Sequence, residues 1–144
     1  MTIPGGYSSG EVLTAANMNL LPAGIVGYGE LEADQSWTTS YADITNLSVA
    51  FTADSTRLYK ASFIGLCGPT TFVILTDGSN NQLQQMENNT TVFISLGGFV
   101  LLSGITGSYT VKARGKASTT GASYRLEAAA ERPATLLVED IGPA

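Results

Sequence analysis

The sequence holds twelve carboxylates and not one histidine, and that imbalance limits the chemistry open to it. Histidine is the commonest general base and the commonest metal ligand. Without one, no serine in the chain can be activated by a serine–histidine–carboxylate triad. Carboxylates alone can still cleave a glycosidic bond, provided two of them flank it. Glu139 and Asp140 are adjacent, and neighbouring residues of a strand point to opposite faces, so they cannot flank one bond. Glu30 and Glu32 share a face, but their segment is flanked by glycines and reads as a solvated edge. No catalytic residue is expected, and the chain is read as a non-enzyme.

Metal and cofactor signals are weaker still. Asp77, Ser79 and Asn81 space oxygen ligands at alternate positions, as calcium loops do, but Gln82 and Asn88 stand where the sixth-position glycine and the twelfth-position glutamate should be. A plain hairpin loop is the better reading. Asn88-Asn89-Thr90 matches a glycosylation acceptor, a three-residue pattern that by itself is given no functional weight. Gly27-Tyr28-Gly29 lacks the third glycine and the following helix of a dinucleotide fingerprint. The single cysteine, Cys67, excludes an internal disulfide and a cysteine-cluster metal site, and in its apolar run it reads as a small buried hydrophobe. Neither a cofactor nor a metal is expected.

The one cationic cluster is Lys112, Arg114 and Lys116, on one face of a strand. Its two readings are a cross-strand charge ladder with Glu127 and a contact with an acidic neighbouring subunit; the ladder is favoured. With a net charge of −5 and seven basic residues, the chain has no basic face to neutralise phosphates, so nucleic acid is set aside as a partner.

The elements that would position these residues are strands. Alternating apolar residues run through Leu47–Phe51 and Tyr59–Phe63, then Tyr109–Ala113 and Tyr124–Ala128, and Gly, Pro, Asn and Asp mark the turns between. Eight strands are predicted from Leu47 onward, with Ile25–Leu31 and Trp37–Tyr41 as possible edge additions. In Ala128–Glu131 helix propensity competes, and strand is favoured. The fold class expected is all-β, a jelly-roll-like antiparallel β-sandwich spanning residues 25–144. Residues 1–24 form a separate N-terminal arm. Within it Glu11–Leu21 reads as a short helix with Thr14 as its N-cap and Pro22 as its stop. So short a helix is marginal alone, so Val12, Leu13, Leu20 and Leu21 are expected to anchor it on a partner.

Val92–Leu102 carries apolar residues at both parities. One set is Val92, Ile94, Leu96, Val100 and Leu102, and the other is Phe93, Phe99 and Leu101. A sandwich strand has one wet face, and leaving three such side chains in water costs roughly 1.5 to 3 kcal/mol each. Phe93, Phe99 and Leu101 are therefore expected to be covered by the arm or by another subunit. Charged residues make up only 13% of the chain, which fits a surface largely given to partners. A homotrimer is the expected assembly.

Gly10-Glu11-Val12-Leu13-Thr14-Ala15-Ala16-Asn17-Met18-Asn19 resembles a short N-terminal motif of many small bacteriophage virion proteins. Leu137-Val138-Glu139-Asp140-Ile141-Gly142-Pro143 resembles the tail of the same group, and the strand-rich Trp37–Tyr59 region is also similar to it. The resemblance covers both ends and part of the middle. It implies a virion surface component: head decoration, head fibre or tail-associated protein, with the major capsid or tail protein as a partner. The function expected is a capsid decoration or cement protein that stabilises the particle as an oligomer. The alternative is an adhesion module for host glycans, for which Trp37, Tyr41 and Tyr124 are the candidate aromatics. No leader pattern is visible and no apolar run is long enough to cross a membrane as a helix, so assembly in a host cytoplasm and residence in the virion are expected.

Overall fold

The structure, a computed structural model, describes residues 21–144 together with the strand pair β1 (Thr2–Ile3) and β2 (Tyr7–Ser8). The expected helix, with Val12, Leu13 and Leu20, lies outside the described residues. From residue 21 on, every regular element is a strand: β3 (Gly24–Leu31), β4 (Gln35–Ser36), β5 (Ala42–Ala53), β6 (Arg57–Cys67), β7 (Thr71–Asp77), β8 (Gln82–Asn88), β9 (Ile94–Leu102), β10 (Gly107–Ala117), β11 (Arg125–Glu127) and β12 (Ala134–Pro143).

One sheet runs β5-β10-β7-β8. In the other, β9 occupies one edge of β6 along its whole length, from Tyr59↔Leu102 to Cys67↔Ile94. Both β12 (Thr135↔Ile64 to Pro143↔Arg57) and β11 (Leu126↔Cys67) therefore lie on its other edge, end to end. β3 and β4 flank them in the same way. The second sheet is thus four strands wide, in the order β3/β4, β11/β12, β6, β9. Counted so, the eight strands pair first with last, second with seventh, third with sixth and fourth with fifth, all antiparallel. That is one long hairpin rolled into a sandwich, and the jelly-roll expectation holds.

The count reaches eight by a different route from the sequence. Ile25–Leu31 is a full strand paired along β12, not an optional addition. Trp37–Tyr41 is not a strand. Residues 124–128 and 134–141 are one interrupted strand. Ala128–Glu131 is neither helix nor strand but a tight turn, closed by hydrogen bonds between Ala129 and Arg132 (Arg132 N to Ala129 O, 2.9 Å).

The core lies between the inward parities of the two sheets: Leu47, Val49, Phe51, Val73, Leu75, Val111 and Ala113 meet Ala61, Phe63, Leu126, Leu136 and Val138. Cys67 is buried there, as expected, and burial pushes its thiol pKa up to about 12. Two close approaches explain glycines that the sequence left unassigned. A Cβ on Gly115 would fall 2.2 Å from the Trp37 ring, and one on Gly29 would fall 2.4 Å from the Asn46 carbonyl. Gly29 therefore serves the packing of β3 against β5.

Candidate functional site

The described residues hold no grouping of acidic or thiol side chains that could bind a metal. Asp77 closes a hairpin: its carboxylate accepts from the Ser79 and Asn81 amides (2.9 and 3.0 Å) and from Asn81 Nδ2 (2.8 Å). Those bonds hold its pKa below the usual carboxylate range, the Asn81 side chain contributing most. Asn88 of the sequon is buried, and its amide donates to the carbonyls of Cys67, Gly68 and Val92 at 3.1, 2.8 and 2.8 Å.

The cationic cluster has a partner other than the one expected. Lys112, Arg114 and Lys116 belong to β10, in the first sheet, whereas Glu127 lies in β11, in the second. Arg114 Nε and Lys112 Nζ instead reach Asp43 on β5, at 2.7 and 3.3 Å. Burial raises the Asp43 pKa, but hydrogen bonds from Arg114 and Lys112 outweigh it and leave the carboxyl below its usual range. Lys116 lies over the rings of Tyr41 (4.7 Å) and Phe72 (5.5 Å). Glu127 pairs with Arg125 and Arg132. The expected ladder with Glu127 is therefore not formed, because the two strands lie in different sheets; the cross-strand partner of Lys112 and Arg114 is Asp43.

The feature most in need of a partner is the outer face of the second sheet. Directly paired residues share a face, so the registers place its side chains in rows across four strands. Leu101, Lys60, Glu139 and Ile25 make one row. Phe99, Ser62, Leu137 and Tyr28 make the next, followed by Gly97, Ile64, Thr135 and Glu30. Phe99 and Leu101 are each 50% exposed, and Ile25, Tyr28 and Ile64 more so. Ile25 reaches this face because a bulge opposite Val138/Glu139 skips Val26, which turns to the core instead. Lys60 Nζ sits 4.8 Å over the Phe99 ring. Tyr28 donates its hydroxyl to Glu30 Oε2 at 2.9 Å, which raises its pKa.

Of the three residues expected to share this face, the structure brings Phe99 and Leu101 together. Phe93 precedes β9, is half-buried, and lies under the Arg125 guanidinium at 4.9 Å, separated from Phe99 by Ser95 and Gly97. Ile25, Tyr28 and Ile64 were missed because their neighbours on this face belong to other strands. The signal for them is register, which only the fold supplies.

Leu21, expected to anchor a partner, is half-buried at the body, and its carbonyl accepts from Arg57 Nη2 at 2.5 Å. Among the glycan candidates, Trp37 is 4% exposed and packs in the core, so it cannot serve as a platform. Its place on Gly115 explains why it is inside. Tyr124 is half-buried against the core and Tyr41 lies beneath Lys116.

No protein-family model matches the chain, and a search of curated proteins returns no significant match. Among solved structures, the chain is similar to the CBM36-1 domain of a multidomain xylanase from the hindgut metagenome of Trinervitermes trinervoides. That likeness has 13% identity and a TM-score of 0.37, and it covers 81% of this chain and 96% of that one.

Proposed function

We propose that this chain is a non-enzymatic structural protein of a bacteriophage particle. On this reading it decorates or cements the capsid, holding on through its N-terminal arm and packing with copies of itself through the outer face of the second sheet. The observation that carries the reading is that face: Ile25, Tyr28, Ile64, Phe99 and Leu101 stand together in water on three adjoining rows. Contiguous exposed apolar surface of this kind marks interaction sites. Four strands about 4.8 Å apart and nine residues of about 3.3 Å rise give a face of roughly 19 by 30 Å. That is about 570 Å² measured flat, against about 800 Å² per partner in a standard interface, so a stable contact must use the whole face and its rim. Lys60 beside Glu139 puts both signs of charge on the row that Leu101 and Ile25 close, which suits copies of the same surface better than a partner of one sign.

The resemblance of residues 10–19 and 137–143 to small virion proteins supports the particle as the setting. Deleting residues 1–21 should leave the sandwich folded and abolish co-sedimentation with particles, and changing Leu13 and Leu20 together to Ser should weaken it. A truncated protein that still co-sediments would remove the arm from the account. Particles with and without the protein, compared for survival of heat or osmotic shock, test stabilisation. Equal survival would move the weight to glycan adhesion, at a site other than Trp37.

A further inference from the structure

Arg57 and Asp140 are the most buried ion pair in the described residues, with side chains 12% and 8% exposed, and neither the core nor the outer face accounts for them. Asp140 follows Leu136 and Val138 at the core-facing parity of β12, a position where a carboxylate is costly. A bulge between Asp140 and Gly142 turns the strand there, with Gly142 at φ +125°, and the Gly142 amide donates to Asp140 Oδ1 at 3.0 Å. The guanidinium meets the carboxylate edge-on: Nε reaches Oδ2 at 2.9 Å and Nη2 reaches Oδ1 at 2.8 Å. The same Nη2 also donates to the carbonyl of Leu21. Beside the pair lies a cleft of about 590 Å³ lined by Leu21, Pro22, Tyr59 and the Asp54–Thr56 turn. The last residue of the chain bonds to that turn as well, Ala144 N to Thr56 O at 2.9 Å.

We infer that Arg57 is a clamp for the root of the N-terminal arm: Asp140 holds the guanidinium in the plane from which it grips the Leu21 carbonyl. The clamp sets the direction of the backbone at Leu21–Ala23. On the reading proposed above, in which the arm anchors the chain, the pole that carries Leu21 and Ala144 is then the one that faces the anchoring partner. The geometry requires an arginine, because only a fork can hold a carboxylate along one edge and still donate to a third oxygen. A lysine keeps a charge beside Asp140 but cannot reach both partners in this arrangement.

The test uses the full chain, with a spin label on Ala23→Cys at the arm root; Cys67 is buried and stays unlabelled in the folded protein. Arg57→Lys should leave the melting temperature within a few degrees of the parent and sharply raise the label's mobility. Asp140→Asn should raise mobility too, with a larger loss of melting temperature. The clamp is overturned if Arg57→Lys leaves the label as immobile as in the parent. It is also overturned if Arg57→Lys lowers the melting temperature as far as Asp140→Asn does, since the pair would then only support the core. Because isolated protein is measured, a failure here is distinct from a failure to bind particles or copies.

Discussion

Asn88 shows how much one polar side chain carries in this fold. Its amide supplies three carbonyls around the start of β9, and its Oδ1 accepts from the Thr90 amide and hydroxyl at 3.0 and 2.6 Å. Loss of a donor buried this deeply costs about 2 to 3 kcal/mol. Asn88→Ala should therefore lower the urea midpoint at unchanged slope. Asn88→Asp should do no better, since a carboxylate cannot donate. A wild-type midpoint in either variant would contradict this role. Cys67 makes a second residue-scale prediction. Its folded pKa of about 12 lies above the ordinary thiol value of 9.0, so the unfolded chain gives up its proton first. The stability it contributes is whole below pH 9 and is lost as pH rises toward 12. Alkylation of the native protein at pH 8.5 should proceed only through opening, and Cys67→Ala should flatten the alkaline decline. The sequence showed Cys67 to be buried, because its neighbours are apolar. It did not show what Asn88 or Asp140 do, because their partners lie 20 and 83 residues away.

At the scale of elements, the legible strands were those whose alternation runs unbroken, such as β10 and the first half of β6. β5 was read only from Leu47 because its alternation breaks. Ile44 and Leu47 both face the core, three residues apart, across a bulge with Asn46 at φ +65°. The same physics hid the union of β11 with β12, since the turn at Ala129–Arg132 interrupts the pattern. The charge ladder was placed on the wrong neighbour because parity names a face and not the adjacent strand. The acids that fix these turns and the ladder give a pH prediction. Asp54 is held low by the Thr56 amide and hydroxyl, Asp77 by Asn81, and Asp43 by Arg114 and Lys112 once their bonds outweigh burial. A lowered folded pKa gives stability that is present at neutral pH and lost as the pH falls through the depressed range. Melting temperature should hold from pH 8 to 5 and fall below about pH 4, where carboxylates ordinarily titrate. The triple change Asp43→Asn, Asp54→Asn, Asp77→Asn should flatten that fall. An equally steep decline in the triple variant would place the acid sensitivity elsewhere.

At the scale of the whole molecule, the sandwich is closed by its core and left open on one outer face. The sequence revealed that openness at one strand only, through the double parity of Val92–Leu102. Folding adds Ile25, Tyr28 and Ile64 from β3 and β6 and turns two exposed residues into a surface. It also withdraws Phe93 from that surface by placing it under Arg125. Covering five half-exposed large side chains contributes about 4 to 8 kcal/mol per copy, near the low end of the cost of association of about 4 to 15 kcal/mol. Loss of two of the five should therefore suffice to dissociate the assembly. Phe99→Ser with Leu101→Ser should do so while leaving the melting temperature of the body nearly unchanged, because neither residue is in the core. Light scattering on the intact protein at micromolar concentration, beside this double variant, tests whether copies pack through this face. The wild type is expected at three times the 15.0 kDa chain mass and the variant at a single chain mass. A wild-type protein that stays at one chain mass, or a double variant that keeps the wild-type mass, would contradict that packing.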